Sequence, residues 1–268
     1  MLHQKGDAMN PPTEPCLLAS RDQRGVHTLT LNRPETFNSL SEEMLTALQQ
    51  ALDTLANDPG LRVLVIAANG KAFCAGHNLK EMRASPQLDY YRKLFAQCGN
   101  MMMALQRLPV PVIAKVQGVA TAAGCQMVAM CDMAVAARSA RFAVSGVNLG
   151  LFCSTPSVAL SRNIGRKAAF EMLVTGEFIS ADEAREKGLV NHVVEAGDLD
   201  ADVERLVQNI LTKPRTAIAL GKQLFYRQLE AGIAAAYTDA VDTMACNMMD
   251  ESALEGVQAF IDKRKPNW

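Results

Sequence analysis

The chain has 268 residues, 49% of them hydrophobic and 21% charged, with a formal net charge of -1. That length suffices to bury a large core as one domain, or one domain with an appendage, and the near-zero charge lacks the basic footprint of a nucleic-acid binder. The longest apolar region, 110–137, is interrupted by Lys115, Gln117, Gln126 and Asp132 and makes a poor membrane span.

Residues 1–15 carry three prolines and no apolar run, so they read as a flexible tail without a signal peptide. The expected compartment is the cytoplasm, or the mitochondrial matrix where a transit peptide has been removed. Seven cysteines, odd in number and without a Cys-x-x-Cys pair, suit small core residues in a reducing compartment. His3, His27, His77 and His192 are scattered, so no metal site is expected.

Strand-like runs over Cys16 to Arg21 and Val26 to Leu31 flank Asp22-Gln-Arg-Gly25 and predict a hairpin. Ser41 is a helix N-cap, with Glu42 and Glu43 favourable in the first turn, and that helix ends near Asn57 to Gly60. Arg62 to Ala68 is a β-branched apolar run suited to a strand buried on both faces. Followed by 71–80, that run gives a strand, then a small-residue turn, then a short helix. A helix is expected from about Gln87 to Arg107, ended by Pro109 and Pro111.

The same grammar recurs at Val112 to Val116 and Gly118 to Asp132, where Ala120 to Gly124 lead into a helix. Such a junction leaves backbone N–H groups without intrahelical partners at the positive end of the helix dipole, a place suited to an oxygen that becomes negative. Small residues there are equally what tight packing of strand on helix requires. A third apolar run covers Met133 to Ala137, and an irregular segment covers 143–156. Ser180 and Glu183 form a capping box with Gly188 as the stop, Leu189 to Val194 reads as a short strand, and helices follow to the end. The units predicted are a core over 16–197 and a helical region over 198–268, an α/β spiral of strand-strand-helix units with a helical tail.

Six motifs in this order resemble the enoyl-CoA hydratase/isomerase, or crotonase, superfamily: Leu31-Asn-Arg-Pro-Glu-Thr-Phe-Asn-Ser-Leu40, Ala72-Phe-Cys-Ala-Gly-His-Asn-Leu-Lys-Glu-Met82, Pro111-Val-Ile-Ala-Lys-Val-Gln-Gly118, Cys131-Asp132, Val147-Asn-Leu-Gly150 and Ala259-Phe-Ile-Asp-Lys-Arg-Lys-Pro266. The resemblance extends from about Leu17 to Trp268. It implies a ClpP-like spiral of ββα units, a C-terminal trimerisation region and a homotrimer or dimer of trimers. It also implies an acyl-CoA thioester as ligand, with coenzyme A entering as part of the substrate and no other cofactor. The thioester carbonyl would accept from the backbone N–H groups of His77 and Ala123, the latter where relatives usually carry glycine; each such donor contributes on the order of 3 kcal/mol to an enolate. Phe37, Ser39, Ala75, Asn78, Leu79, Phe260 and Lys263 match CoA-contacting positions, Phe260 and Lys263 often from a neighbouring subunit. Lys263, within a Lys-Arg-Lys run, also reads as a solvated helix end.

The chain departs from the hydratase pattern at the two glutamates, whose positions hold Gln126 and Gly146. Hydration needs one group to take a proton from water and another to give one to the α-carbon, and each loss costs roughly a hundred- to ten-thousand-fold. Restoring both glutamates would return hydration only where the backbone at Gly146 accepts a side chain. Asn78 replaces the family aspartate. His77, with an ordinary pKa near 6.5, is the remaining candidate acid or base, or a residue whose N–H alone matters. Cys153, Ser145, Ser154 and Asn148 are weaker candidates. Ala-Gly-His and Val-Asn-Leu-Gly also resemble methylmalonyl-CoA decarboxylases, in which the leaving carboxylate supplies the electrons. The set Ala-Ala-Gly-Cys-Gln and Gly-Leu-Phe-Cys-Ser-Thr-Pro resembles hydratase-domain-containing members that lack the glutamate pair. The expected chemistry is therefore atypical enolate formation, decarboxylation, or acyl-CoA binding without turnover, within fatty-acid metabolism.

Overall fold

The computed structural model describes residues 14–268. The tail predicted over 1–15 lies outside them except for Glu14 and Pro15, whose carbonyls accept from Arg33 and Asn32. Strands β1 (Leu17–Arg21) and β2 (Val26–Leu31) form the expected antiparallel hairpin. Asp22 Oδ1 accepts from the Arg24 and Val26 amides and closes its turn. Helix α1 (Glu42–Ala56) starts where Ser41 Oγ accepts from Met44 N at 3.1 Å, and it buries Met44, Leu45, Leu48, Leu52 and Leu55 on one stripe.

From β3 onward the chain alternates between two sheets. Each turn of the spiral lays one strand in a large sheet and the next in a small one before a helix closes the turn. β3 (Val63–Ala68), β5 (Val112–Val116) and β7 (Met133–Ala137) continue the large sheet in parallel from β2, and β10 (His192–Val194) ends it. β4 (Ala72–Cys74), β6 (Val119–Thr121) and β8 (Arg141–Ala143) run parallel in the small sheet, with β9 (Ile179–Ser180) antiparallel at its edge. The helices between are α2 (Leu79–Ala84), α3 (Leu88–Arg107), α4 (Ala123–Met130), α5 (Ser154–Asn163), α6 (Arg166–Thr175) and α7 (Ala181–Glu186). α7 begins at the predicted capping box, with Ser180 and Glu183 each accepting from the other's amide. A 3-10 turn, Ser145–Leu149, lies in the segment expected to be irregular.

One core fills the space between the sheets, α1 and α3, built on Leu31, Leu64, Ile66, Phe73, Met101 and Phe142. A second lies on the outer face of the large sheet, where Leu199, Val203 and Val207 of α8 (Leu199–Leu211) cover Val26, Val63, Val65, Ile113 and Val135. α8 therefore belongs to the packing of the sheet. The helices left uncovered begin after it, with α9 (Arg215–Leu229), α10 (Ile233–Met248) and α11 (Glu251–Ile261). Ile218, Leu220 and Leu224 are half-buried, Phe225 is exposed, and Ile233, Tyr237, Val241, Met244 and Met248 line an open stripe of α10. Among the described residues no helix is long and apolar enough to cross a membrane.

α9 is tied to the core by a polar cluster, besides the bond from Arg215 Nε to Leu61 O at its start. Asp132 Oδ2 accepts from Val112 N at 2.6 Å and Lys222 Nζ at 2.7 Å, and its Oδ1 accepts from Tyr226 OH at 2.7 Å. Lys222 Nζ also donates to the carbonyls of Leu105 and Val110. Burial lowers the Lys222 pKa, opposed by the Asp132 charge. Removing one partner leaves the other charged and buried without compensation. Asp132→Ala should therefore destabilise the fold by about 3–5 kcal/mol, read as a fall in the denaturant midpoint. A loss within error of zero would show that the cluster does not anchor α9.

Candidate functional site

The candidate site forms at the C-terminal edge of the small sheet. β4, β6 and β8 are parallel neighbours, with Cys74 opposite Ala120 and Thr121 opposite Ala143, so the segments that leave them lie side by side. Those segments are Ala75-Gly76-His77, Ala122-Ala123 and Ser145-Gly146. All of their residues but Gly76, together with Leu79, Met82, Phe95 and residues 149 and 151–156, line a cavity of about 220 Å³.

The first turn is clamped from behind by the loop after the 3-10 turn Pro34–Thr36. Ala75 N donates to Phe37 O, Leu40 N donates to Gly76 O at 2.7 Å, and Asn78 N donates to Leu40 O. Gly76 has φ +89, a left-handed conformation that a β-carbon disfavours. The chain is thereby turned so that the His77 N–H has no acceptor among the described residues. Ala123, the first residue of α4, likewise has an N–H without an acceptor, as the first turn of a helix requires. Both residues line the one cavity.

The sequence-derived side chains divide into several groups. Gly146 and Cys153 line the cavity. Gly146 N donates to Cys153 Sγ at 3.3 Å, and burial pushes the thiol above its ordinary pKa. Ser145 also lines it, paired with Thr121 through hydroxyl oxygens 2.9 Å apart. Gln126, by contrast, is 5% exposed and lies behind the wall, its Oε1 without a hydrogen-bond partner among the described residues. Of the seven CoA-matched residues, Ala75 and Leu79 line the cavity, whereas Phe37, Ser39, Asn78, Phe260 and Lys263 do not. Asn78 caps α2 instead, its Oδ1 accepting from Lys80 N and Glu81 N. Phe260 is 85% exposed near the end of α11, and Lys263 just beyond it has φ +54. Ser154 lines the rim, and Asn148 turns away to Gly176 O.

Burial bears on the role expected of His77 as an acid or base near neutrality. Burial without a neighbouring charge lowers its pKa to about 4. Its Nε2 is buried without a hydrogen-bond partner among the described residues, and its ring meets the edge of Phe95 at 5.4 Å. The imidazole is neutral at physiological pH. Phe95 and Met82 escaped the sequence reading because their signal is that of any apolar helix residue.

A glutamate at Gly146 is excluded for a reason other than backbone conformation. Gly146 is not among the left-handed glycines. A β-carbon there would nevertheless collide with the Leu151 carbonyl oxygen and approach Cys153 Sγ to 2.8 Å. The backbone clash cannot be relieved by turning a side chain.

Depression of the His77 pKa has a sign that stability measurements can read. Between about pH 6.5 and 4 the unfolded chain binds a proton at this histidine and the folded chain does not, so stability is full above pH 6.5 and falls as pH drops through that window. His77→Gln should flatten the pH dependence of unfolding between those limits. An unchanged slope would mean that His77 takes its proton in the folded state.

The sequence pattern of the enoyl-CoA hydratase/isomerase family matches residues 21–268. The enoyl-CoA hydratase structure from Mycobacterium smegmatis is 67% identical, with a TM-score of 0.95 over 95% of this chain and 99% of that one. The human enoyl-CoA hydratase domain-containing protein 3 structure is 43% identical, with a TM-score of 0.91 over 94% of this chain and 100% of that one. The Xenopus laevis protein named enoyl-CoA hydratase domain-containing protein 3, mitochondrial, is 46% identical over 94% of this chain and 86% of its own length. With the ββα spiral and its paired turns in place, these likenesses show that the chain belongs to the enoyl-CoA hydratase/isomerase family.

Proposed function

We propose that the chain binds acyl-CoA thioesters of fatty-acid metabolism, with the thioester oxygen accepting from the His77 and Ala123 amides, and that it does not carry out ordinary hydration. The observation behind this reading is a cavity with two unpartnered backbone donors and no carboxylate. Among the described residues that line it there is no Asp or Glu, and the titratable side chains present are a neutral histidine and a thiol whose pKa is raised. Donors aimed at the oxygen of a thioester favour its enolate, because they act in a partly dry site and need no reorganisation. Water addition also demands proton-transfer groups, and an amide behind the wall and a glycine supply none.

Chemistry that needs an oxyanion site without a base includes loss of carbon dioxide from a malonyl-type thioester. A carboxylate entering a cavity lined by Leu79, Phe95, Leu151 and Phe152 loses solvation that carbon dioxide does not require. Methylmalonyl-CoA decarboxylation reduced by His77→Gln would favour that reading. Acyl-CoA binding without any turnover is the third reading.

For assembly we propose a homotrimer or a dimer of trimers in which α9 to α11 pack against a second copy. The support is the apolar stripe of α10, with Ile233 78% and Met244 72% exposed. A neighbouring copy would also carry Phe260 and Lys263 toward a CoA they do not approach from within their own chain. Light scattering at micromolar concentration should return three or six times the chain mass. A monomer would overturn the assembly.

Crotonyl-CoA should bind, by calorimetry, while its hydration stays near background. The double variant Gln126→Glu/Gly146→Glu should not restore hydration, because the second side chain collides with the Leu151 backbone. Hydration by the unaltered protein at the rate of a family hydratase with both glutamates would refute the reading.

A further inference from the structure

Ala122 stands between the two donor turns in a conformation that alanine rarely adopts. Its φ is +50 and ψ -120, a region that a β-carbon makes costly and that glycine enters freely. The peptide is held on both sides: Ala122 N donates to Ala143 O at 3.0 Å, and Ala122 O accepts from Gln126 N at 3.0 Å. The methyl group occupies the space beside Gly76. A β-carbon placed on Gly76 would come within 2.9 Å of the Ala122 β-carbon, 3.2 Å of Thr121 O and 3.3 Å of Ala123 N. Gly76 precedes His77, and Ala122 precedes Ala123. The contact between the small pair therefore lies one residue before each unpartnered N–H. A glycine at 122 would satisfy the backbone at lower cost and leave a gap in that contact.

We propose that Ala122 is a positioning residue: its β-carbon, kept in a conformation suited to glycine, spaces the two turns and thereby sets the separation of the His77 and Ala123 N–H groups. This rests on the acyl-CoA reading above. Local strain of this kind persists where the surrounding structure holds it. Here the hydrogen bonds to Ala143 and from Gln126 hold it, and the cavity wall gains a fixed spacing between donors. Misplacing a donor weakens an oxyanion far more than it weakens the neutral ligand, because the charge develops on the oxygen.

Acetoacetyl-CoA is the probe, since its enolate has a near-ultraviolet band that its keto form lacks. Ala122→Gly should unfold at a temperature no lower than the parent, yet bind acetoacetyl-CoA about tenfold or more weakly with a diminished bound enolate band. Ala122→Ser, which keeps the β-carbon, should retain both binding and band. A packing role alone would lower the unfolding temperature of Ala122→Gly and leave the band of the bound ligand unchanged, and that result overturns the inference. Equal affinity and equal band in parent and Ala122→Gly also overturn it while leaving the acyl-CoA reading intact. Failure of the parent to bind acetoacetyl-CoA overturns both.

Discussion

Two backbone turns must approach each other to within the reach of a single methyl group, and much of the structure serves that approach. Parallel pairing of β4 with β6 brings the ends of both strands to one edge. Gly76 turns the first segment with φ +89, and Ala122 turns the second with φ +50. Any larger residue at 76 would meet the Ala122 methyl, Thr121 O or the Ala123 amide. The large sheet, with β3 buried on both faces, supplies the stiff base from which these short strands leave.

Charge is distributed accordingly. Described residues lining the cavity carry no carboxylate and no permanent cation, and burial keeps His77 neutral. The strongly coupled buried charges lie instead at Asp132 and Lys222, where three backbone groups and the Tyr226 hydroxyl share them and fasten α9 to the core. A buried ion pair is tolerable where its remaining hydrogen-bonding capacity is met. The site's own polar capacity is held back, as two amides without acceptors.

The positions that the family resemblance assigns to glutamates, 126 and 146, are both closely packed. At Gly146 the Leu151 carbonyl and Cys153 sulfur close over the position from which a side chain would leave. Gln126 is buried and does not line the cavity. A side chain at 146 therefore needs movement of the Leu151 backbone as well as a substitution.

Periodicity and capping in the sequence determined the elements: the Ser41 cap of α1, the Ser180–Glu183 box of α7, the hairpin of β1 and β2 and the doubly buried β3 each follow from local rules that act within a few residues. The ordered motifs determined the family, and the resemblance they carry named both candidate amides. Only the tertiary structure decided that burial lowers the His77 pKa, that Gln126 lies outside the cavity lining, that Gly146 is closed by Leu151 and Cys153, and that the Ala122 methyl lies beside Gly76. A pKa depends on how much water neighbours displace, and a steric limit depends on atoms from distant segments. Residues 76 and 122 meet through a sheet pairing, which no spacing along the chain encodes. For the same reason α8 could be recognised as a helix from its pattern, while its place over Val63 and Ile113 emerged from the packing of the large sheet.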